Sequence, residues 1–288
     1  MNKILVVGSS GNVGRALVEQ LSRNGELIRA ATRNPSRMKA SAGIEPVRFD
    51  YSVPGTFAHA LEGTNRVFLL GPPEPTPHKV MLPFLEAATR DNRKVVLMTA
   101  LGTDRDDDGS LRRVELELER SRAPYVILRP NWFMDNFHTS WLEPILHAGV
   151  IPLPAADSRT SLIDARDIGA CAAAALRTDR FNGRAFALTG PQSLTYSEAA
   201  SMLSSAAGRQ IRYQAVDDDS FVKSLVEAGV PDDLARYLAV LFSYARQGAT
   251  AAVSPDVEEL TGRPPLSLAQ YAQDHASAWK QRAAFGSA

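Results

Sequence analysis

The chain has 288 residues, enough for one large domain or a domain with a smaller companion, and its 44% hydrophobic and 22% charged residues are ordinary for a globular protein. With 32 Lys and Arg against 32 Asp and Glu, the formal net charge is zero, which argues against nucleic acid or an anionic membrane as a partner. A single cysteine excludes an intrachain disulfide, and no stretch approaches the roughly 18–20 apolar residues of a membrane helix, so we expect a cytoplasmic protein.

The first half of the chain alternates short apolar runs with amphipathic stretches. The runs are rich in Val, Ile, Leu and Phe, which is typical of strands buried on both faces. Apolar residues at helical spacing separate them, as at Val13, Ala16, Leu17 and Leu21. This alternation predicts an α/β fold with a doubly wound parallel sheet of the Rossmann type. The predicted strands are residues 4–7, 27–32, 46–49, 67–70, 95–98 and 125–128.

The pattern changes in the second half. Residues 131–161 contain several aromatic residues and prolines and show no clear strand–helix repeat. The predicted elements that follow are a strand at 161–164, a helix at 167–176, strands at 185–188 and 211–216, and helices elsewhere after residue 190. We therefore predict a dinucleotide-binding domain of residues 1–132 plus 162–190. A smaller, mostly helical substrate domain is predicted for residues 133–161 plus 191–288.

A glycine-rich turn follows the first predicted strand and leads directly into a helix. Gly8 permits the tight turn, Gly11 lets the backbone approach a pyrophosphate, and Gly14 allows close packing of the helix on the sheet. The phosphates would meet free backbone N–H groups and the positive end of the helix dipole. This GxxGxxG spacing in its strand–turn–helix context predicts a dinucleotide-binding loop. The loop residues assigned to the cofactor are Gly8, Ser10, Gly11, Asn12, Val13 and Gly14.

The end of the second strand indicates which dinucleotide binds. Domains that prefer NAD place an Asp or Glu there to accept hydrogen bonds from the ribose 2′-hydroxyl. Here Arg33 follows the strand, and no carboxylate occurs through residue 37. A guanidinium suits a 2′-phosphate, so Arg33 favours NADP(H), with NAD(H) left open, and Arg37 and Lys39 are candidates for added charge. The alternative is that Arg33 is a solvated surface side chain.

Further cofactor contacts follow from topology, because ligands of doubly wound folds lie beyond the carboxyl ends of the parallel strands. The residues concerned are Asp50 for the adenine amino group, Leu70, Gly71 and Pro72 for the adenosine ribose, and Thr99, Ala100 and Pro130 for the nicotinamide end. For Asp50, a plain turn-forming role is left open. The acidic run at 104–108 is expected to be a solvated loop, since solvent hydration explains it better than a metal.

Aromatic residues are concentrated after the sixth predicted strand, at Trp132, Phe133, Phe137 and Trp141. Rings in that place either stack on a flat substrate or pack the C-terminal helices, and the sequence leaves both open. The residues assigned to the substrate are Asn131, Trp132, Phe133 and Asn136. We expect lone histidines such as His78 and His138 to be structural, and Cys171, in an alanine-rich helical run, to lie in the core.

Several motifs together resemble the NmrA-like group of atypical short-chain dehydrogenases/reductases, with similarity over almost the whole chain. The motifs are residues 8–14, 31–35, 128–136, 163–168 and 258–263. The resemblance implies an NAD(P)-binding Rossmann fold. Members of this group include NAD(P)H-dependent quinone and dye reductases, and also regulators that bind the dinucleotide without evident turnover.

One departure from the wider superfamily concerns the Tyr-x-x-x-Lys dyad that acts as general acid and base. Alignment on Glu115 places Asp107 and Leu111 at the two positions, and Tyr125 begins a predicted buried strand, so the catalytic residues are unknown. We predict an NADPH-preferring reductase of a quinone-like or other conjugated small molecule, working by direct hydride transfer without a metal. The alternative is an NADP(H)-binding redox-sensing regulator. An epimerase is disfavoured by the missing tyrosine, and the oligomeric state is left open.

Overall fold

The structure, a computed structural model, describes residues 2–38 and 40–280, so the proposed charge of Lys39 lies outside the described residues. The strands are β1 (Lys3–Val6), β2 (Leu27–Thr32), β3 (Ile44–Arg48), β4 (Arg66–Leu70), β5 (Lys94–Met98), β6 (Tyr125–Pro130), β7 (Val150–Leu153), β8 (Arg159–Thr160), β9 (Arg184–Leu188), β10 (Leu194–Thr195) and β11 (Arg212–Ala215). The α-helices are α1 (Asn12–Arg23), α2 (Phe57–Leu61), α3 (His78–Thr89), α4 (Ser110–Arg120), α5 (Leu142–Ala148), α6 (Ala165–Arg177), α7 (Tyr196–Ala207), α8 (Asp218–Glu227), α9 (Asp232–Arg246), α10 (Asp256–Thr261) and α11 (Leu268–Asp274). None of the helices in the described ranges is long and apolar enough to cross a bilayer.

The chain divides into two compact units. Unit 1 consists of Met1–Pro130, Ala165–Leu188 and Pro255–Pro264, and unit 2 of Asn131–Asp164, Thr189–Ser254 and Pro265–Ala288. The placement of the short C-terminal segment 255–264 in the smaller domain is therefore wrong. That segment contains α10, which packs on α6 and β9 of unit 1. The partners that hold this segment are far away along the chain.

Specific polar contacts fix the segment 255–264 in unit 1. The Asp256 carboxylate accepts a hydrogen bond of 2.7 Å from the backbone N–H of Ala187 on β9. The Arg263 guanidinium lies 2.7 Å from a carboxylate oxygen of Asp167, which is fully buried on α6. A buried carboxylate requires such a partner, because an uncompensated charge away from water is strongly destabilising.

Unit 1 contains a seven-stranded sheet in the order β3-β2-β1-β4-β5-β6-β9. All of its neighbouring strands pair in parallel. This confirms the predicted doubly wound Rossmann-type sheet, in which the strand order reverses between β1 and β4. The apolar runs form strands because both faces are covered, and Val67, Phe68 and Leu69 are fully buried. Cys171 on α6 is also buried, as expected, and burial raises the pKa of its thiol.

Unit 2 contains α5, α7, α8, α9 and α11 with two short sheets. One sheet pairs β7 with β11 in parallel, and the other pairs β8 with β10 antiparallel. The predicted strand at 211–216 is confirmed as β11, whereas its partner β7 was missed in a stretch with no clear repeat. The core combines aliphatic side chains with seven buried rings, those of Phe137, Trp141, Tyr196, Phe221, Phe242, Tyr271 and Trp279.

The predicted strand at 161–164 is wrong. The nearest strand, β8, ends at Thr160, and the following residues are buried without joining a ladder of strands. Their backbone groups bond elsewhere: the Ser161 N–H donates to the Thr250 carbonyl at 3.0 Å, and the Ile163 N–H to the Trp132 carbonyl at 2.9 Å. Isolated contacts of this kind satisfy the buried backbone as well as a sheet does, so an apolar run alone does not distinguish them.

Candidate functional site

The glycine-rich turn occupies the point at which the sheet reverses its strand order. Strand β1 ends at Val6 between β2 and β4, and α1 begins at Asn12. In doubly wound folds, the crevice at the carboxyl ends of the strands opens at this point and accepts ligands. The loop predicted from the GxxGxxG spacing therefore lies where a dinucleotide fold places its phosphates.

Gly8 makes the turn itself. Its φ of +72° lies in the left-handed region, which glycine adopts without the penalty of a side chain. The Gly11 N–H closes the turn with a 3.0 Å hydrogen bond to the Gly8 carbonyl. A Cβ at Gly8 would also press on the Leu70 side chain at 3.2 Å, which brings the end of β4 against the loop.

Gly11 and Gly14 differ in what a side chain would meet. A Cβ on Gly14 would lie 2.1 Å from the Gly8 carbonyl oxygen, so only glycine lets α1 approach the loop this closely. The atoms that a Cβ would meet belong to the backbone of the loop. Gly14 therefore lets α1 pack closely on the turn after β1, whereas the sequence predicted close packing on the sheet itself. A Cβ on Gly11 would meet only that carbonyl oxygen, at an ordinary 3.4 Å, and Gly11 is exposed. Its φ of −79° suits any residue, so the protein itself does not require glycine there.

The first turn of α1 is left open to an anion. Asn12, Val13 and Gly14 begin the helix, which has no side-chain cap and no acidic residue in its first turn. Such a helix start presents unpartnered N–H groups and a positive dipole end. This uncapped helix start and the exposed Gly11 beside it together fit a diphosphate.

Ser9 anchors the loop, a role that the sequence did not assign. It is buried, and its hydroxyl donates a 2.8 Å hydrogen bond to the Ala31 carbonyl on β2. Ser10, the serine chosen from the sequence, is exposed and thus accessible to a phosphate. Two adjacent serines look alike in a sequence, and only the geometry of the turn decides which of them points inward.

Two polar side chains follow β2 and β3. Arg33 is exposed, and within the described ranges no carboxylate forms an ion pair with it. Asp50 accepts hydrogen bonds from the Ser52 N–H at 2.9 Å and the Ser52 hydroxyl at 2.7 Å. These bonds, helped by Arg33 and Arg48, hold the pKa of Asp50 below its usual value. Asp50 thus forms the turn that was its alternative interpretation, and its contact with adenine stays a prediction.

The residues after β4 are held by neighbouring side chains. The Tyr51 hydroxyl donates to the Leu70 carbonyl at 2.6 Å. A Cβ at Gly71 would lie 2.6 Å from the Met81 sulfur, so glycine is needed there for packing against α3. Pro72 is half-buried in the same segment. Whether the ribose passes over these residues stays a prediction.

At the ends of β5 and β6, polar groups form a network. The buried Thr99 donates from its hydroxyl to a carboxylate oxygen of Glu115 at 2.7 Å. The Arg129 guanidinium donates to both oxygens of the same carboxylate, at 3.0 and 2.7 Å. Ala100 belongs to a tight turn closed by Thr103. In the sequence, Glu115 served only to align the positions expected for the dyad, so its structural role was not foreseen.

The acidic run at 104–108 is exposed, as expected, and two of its aspartates form surface ion pairs. Asp104 lies 2.6 Å from the Arg129 guanidinium, and Asp107 lies 3.0 Å from that of Arg112. Both aspartates stay exposed, so the expected solvation of the run is confirmed, and each also has an arginine within reach. Asp108 is exposed. The signal that could have revealed the network is Glu115, an acidic residue between the apolar positions Val114 and Leu118 of one helix face.

In unit 2, Asn131 is committed to hydrogen bonds within the protein. Its amide N–H₂ group donates to the Ser161 hydroxyl at 2.8 Å and to the Thr250 carbonyl at 2.9 Å. Its side-chain oxygen accepts the Trp132 N–H at 2.9 Å. Both amide hydrogens are therefore in use, which favours a positioning role over direct substrate binding.

The aromatic residues after β6 fall into two classes. Phe137 and Trp141 belong to the buried core of unit 2, so for these two the packing interpretation is correct. Trp132 is half-buried and stacks on Phe242 with ring centroids 4.6 Å apart. Phe133, like Asn136, is half-buried. Trp132, Phe133 and Asn136 stay predicted substrate residues.

The two histidines singled out in the sequence each have protein partners. The His78 ring nitrogen lies 2.7 Å from the Ser110 hydroxyl, at the start of α3 and α4, and burial lowers the pKa of His78. His138 bonds to the Tyr271 hydroxyl and stacks on His275 with centroids 4.7 Å apart. Both contacts agree with the expected structural roles.

Comparison with known proteins agrees with this geometry. Residues 8–179 match the family model described as NAD(P)H-binding, and residues 111–270 match the model described as the NmrA-like family. A (4-alkanoyl-5-oxo-2,5-dihydrofuran-3-yl)methyl phosphate reductase from Streptomyces griseus is 33% identical, over 96% of this chain and 99% of its own. An NAD(P)H azoreductase from Xenophilus azovorans is 30% identical over the same shares.

Among solved structures, an NADPH-dependent quinone oxidoreductase from Escherichia coli, complexed with NADPH, superimposes with a TM-score of 0.83. It is 25% identical, and the match covers 94% of this chain and 99% of that one. The family resemblance indicated by the sequence motifs is confirmed by these matches.

Proposed function

Because the chain belongs to the NmrA-like family of NAD(P)H-binding proteins, we propose that it is an NAD(P)H-dependent oxidoreductase that reduces a quinone-like or other conjugated small molecule. The observation that carries this proposal is the loop after β1. In this loop the start of α1 has no side-chain cap, and Gly11, which precedes it, is a glycine that packing within the protein does not require. A cytoplasmic location stays a prediction, and the oligomeric state is left open.

The chain's own groups would hold the dinucleotide by its phosphates. The first N–H groups of α1, at Asn12, Val13 and Gly14, receive the diphosphate, and the exposed hydroxyl of Ser10 adds a donor. Backbone donors are already oriented by the helix, so little conformational entropy is lost on binding. Ser9 keeps this arrangement in place by tying the loop to β2.

NADPH is the proposed preferred form because of Arg33. This exposed guanidinium follows β2, the position at which NAD-preferring domains carry a carboxylate. Among the described residues it has no ion pair to break before it binds a 2′-phosphate. A forked donor matches the geometry of a phosphate better than a single ammonium does. NADH binding is retained in this proposal, because the diphosphate contacts are shared.

The reaction class follows from what the site lacks as well as from what it holds. When bound, the reduced dinucleotide supplies a hydride. Positions 107 and 111, where the wider superfamily carries its acid–base pair, hold an aspartate engaged with Arg112 and a leucine. A quinone or dye acceptor suits such a site, because its reduced form takes a proton from water. The chain contributes alignment of the cofactor and the acceptor, and we assign no catalytic residue.

The test is the oxidation of NADPH by the full chain with a panel of quinones and azo dyes, followed by the loss of dihydronicotinamide absorbance. We expect turnover with at least one acceptor, faster with NADPH than with NADH at limiting cofactor. Gly11→Ala is the matched control, since it changes the loop without a clash in the protein and should lower turnover at limiting cofactor at least about tenfold. If the cofactor binds tightly and no acceptor is reduced above background, a redox-sensing regulator replaces the enzyme proposal.

A further inference from the structure

Glu115 is a wholly buried carboxylate at the end of the sheet where the nicotinamide is predicted to lie. One oxygen accepts from the Thr99 hydroxyl and from Nε of Arg129, and the other from Nη2 of Arg129. The second oxygen also accepts from the Arg112 guanidinium at 3.0 Å. Four hydrogen bonds saturate the roughly four lone-pair positions of a carboxylate. No acceptor capacity is left for a ligand, so Glu115 acts only on its protein neighbours.

The network fixes the segment 99–104, which leaves β5, at three points. Thr99 is held through Glu115, and the Leu101 N–H donates to the Pro130 carbonyl of β6 at 2.9 Å. Asp104 is held by the Arg129 guanidinium at 2.6 Å. Arg129, on the neighbouring strand β6, therefore holds one end of the segment directly at Asp104 and the other end through Glu115. A chain held at three points within six residues has few alternative conformations.

We propose that Glu115 is a positioning residue, which fixes the backbone at Thr99 and Ala100 so that it forms one rigid wall for the nicotinamide half of the cofactor. This inference rests on the proposed function. Hydride transfer is sensitive to alignment, and a displacement of about 1 Å can lower a rate by about a hundredfold. The saturated network resists such a displacement, because any shift of the segment breaks charge-assisted hydrogen bonds in a buried place.

A purely structural role is the competing explanation, and the chain offers a matched control. Lys94 is a buried charge at the opposite end of the same strand, β5. Its ammonium donates to the Thr178 carbonyl and lies 3.6 Å from Asp179. Each substitution breaks hydrogen bonds made by a buried group of unit 1, but only Glu115 lies at the carboxyl edge of the sheet. The two variants Glu115→Gln and Lys94→Met therefore separate stability from alignment.

The first experiment needs no turnover. Each purified variant is titrated with NADPH and with 2′,5′-ADP, which lacks the nicotinamide half. For Glu115→Gln we expect the affinity for 2′,5′-ADP to stay within about twofold and that for NADPH to fall by about tenfold, a loss confined to the misaligned half. Lys94→Met should change neither. An equal loss for both ligands, or the same selective loss in Lys94→Met, would overturn the proposal.

A second pair of variants remains informative if Glu115→Gln does not fold. Thr99→Val removes the hydroxyl donor at nearly constant shape, and Thr99→Ser restores it. Amide hydrogen exchange over residues 99–105 of the cofactor-free protein should rise by about tenfold or more in the valine variant, because local opening becomes easier. The serine variant should return to the wild-type rate. Unchanged exchange in Thr99→Val contradicts the proposal, whether or not any acceptor is reduced.

Where an acceptor is found, single-turnover hydride transfer at saturating NADPH gives the third readout. Thr99→Val should slow this step by about tenfold, with Thr99→Ser restoring it, since the loss lies in alignment. A protein that binds NADPH and shows the selective loss but reduces nothing refutes the reductase and leaves the positioning role of Glu115 intact. If the chain reduces an acceptor and the rate of hydride transfer is the same in all variants, the reductase proposal stands and the positioning role of Glu115 is refuted.

Discussion

The two halves of the carboxyl edge of the sheet are built in opposite ways. At the end of β1, the loop from Gly8 to Gly14 presents main-chain groups, and its glycines keep side chains away. At the ends of β5 and β6, charged side chains around Glu115 bond to one another and leave few free groups. The first half is suited to binding an anion, and the second to keeping the backbone after β5 in one conformation. The following predictions set these halves against each other.

The largest effect is expected at Gly14. In Gly14→Ala the new Cβ would lie 2.1 Å from the Gly8 carbonyl oxygen, and neither backbone can yield cheaply. We expect a loss of about 3 kcal/mol in the free energy of unfolding, at the upper end for overpacking, together with loss of NADPH binding. Urea unfolding and calorimetry measure the two. A stable variant with wild-type affinity would show that the close approach of α1 to its loop is unnecessary.

Arg33 should affect one cofactor only. Arg33→Ala removes a charge-assisted contact to the 2′-phosphate, so NADPH binding should weaken by roughly 1.5–3 kcal/mol while NADH binding is unchanged. Parallel titrations of both cofactors into wild type and variant measure the difference. Arg37→Ala, another exposed arginine four residues on, is the control and should show a smaller change. Equal losses for NADPH and NADH would refute the assigned role.

Gly11 should separate binding from stability. Gly11→Ala places a Cβ at an ordinary contact distance of 3.4 Å from the Gly8 carbonyl oxygen, so the free energy of unfolding should stay the same or rise by up to about 1 kcal/mol through a less flexible unfolded chain. NADPH and NADH affinities should both fall at least about tenfold, or about 1.4 kcal/mol, because the Cβ blocks the diphosphate. Thermal unfolding and calorimetry test this. If Gly11→Ala instead lowered the free energy of unfolding and left the affinity for both cofactors unchanged, the role given to Gly11 would be wrong.

The smallest effect concerns Lys94, away from the carboxyl edge. Burial lowers its pKa to about 8 from an ordinary 10.5. At a pH between these two pKa values, Lys94 carries more protons in the unfolded chain than in the folded one. Its contribution to the free energy of unfolding therefore rises as the pH increases from about 8 to 10. Relative to Lys94→Met, wild type should gain on the order of 1 kcal/mol across this range. Urea unfolding at several pH values measures it, and parallel curves for the two proteins would contradict the assignment.

The sequence predicted the β1 side of the site well because its signals are local. Strand β2 was predicted with its observed bounds, and the glycine spacing of the loop is set within seven residues. The network at the other half joins Thr99, Glu115 and Arg129, which are 14 to 16 residues apart, and no periodicity predicts which buried charges meet.

Longer separations explain the remaining differences. Segment 255–264 joins unit 1 through contacts with residues about 70 to 100 positions earlier, such as Ala187 and Asp167. The strand predicted at 161–164 failed because Ser161 bonds to Thr250 instead of to a neighbouring strand. In both segments the local hydrophobic pattern indicated which residues are buried, but it could not identify the distant residues to which they bond.

The central claim is that the loop after β1 binds the diphosphate of a nicotinamide dinucleotide at the open start of α1. Isothermal titration calorimetry of the purified, folded full chain with NADPH and NADH tests it most directly. We predict saturable binding of NADPH, with NADH weaker by about tenfold or more for the lost phosphate contact. The absence of binding heat with either form at several temperatures would contradict it.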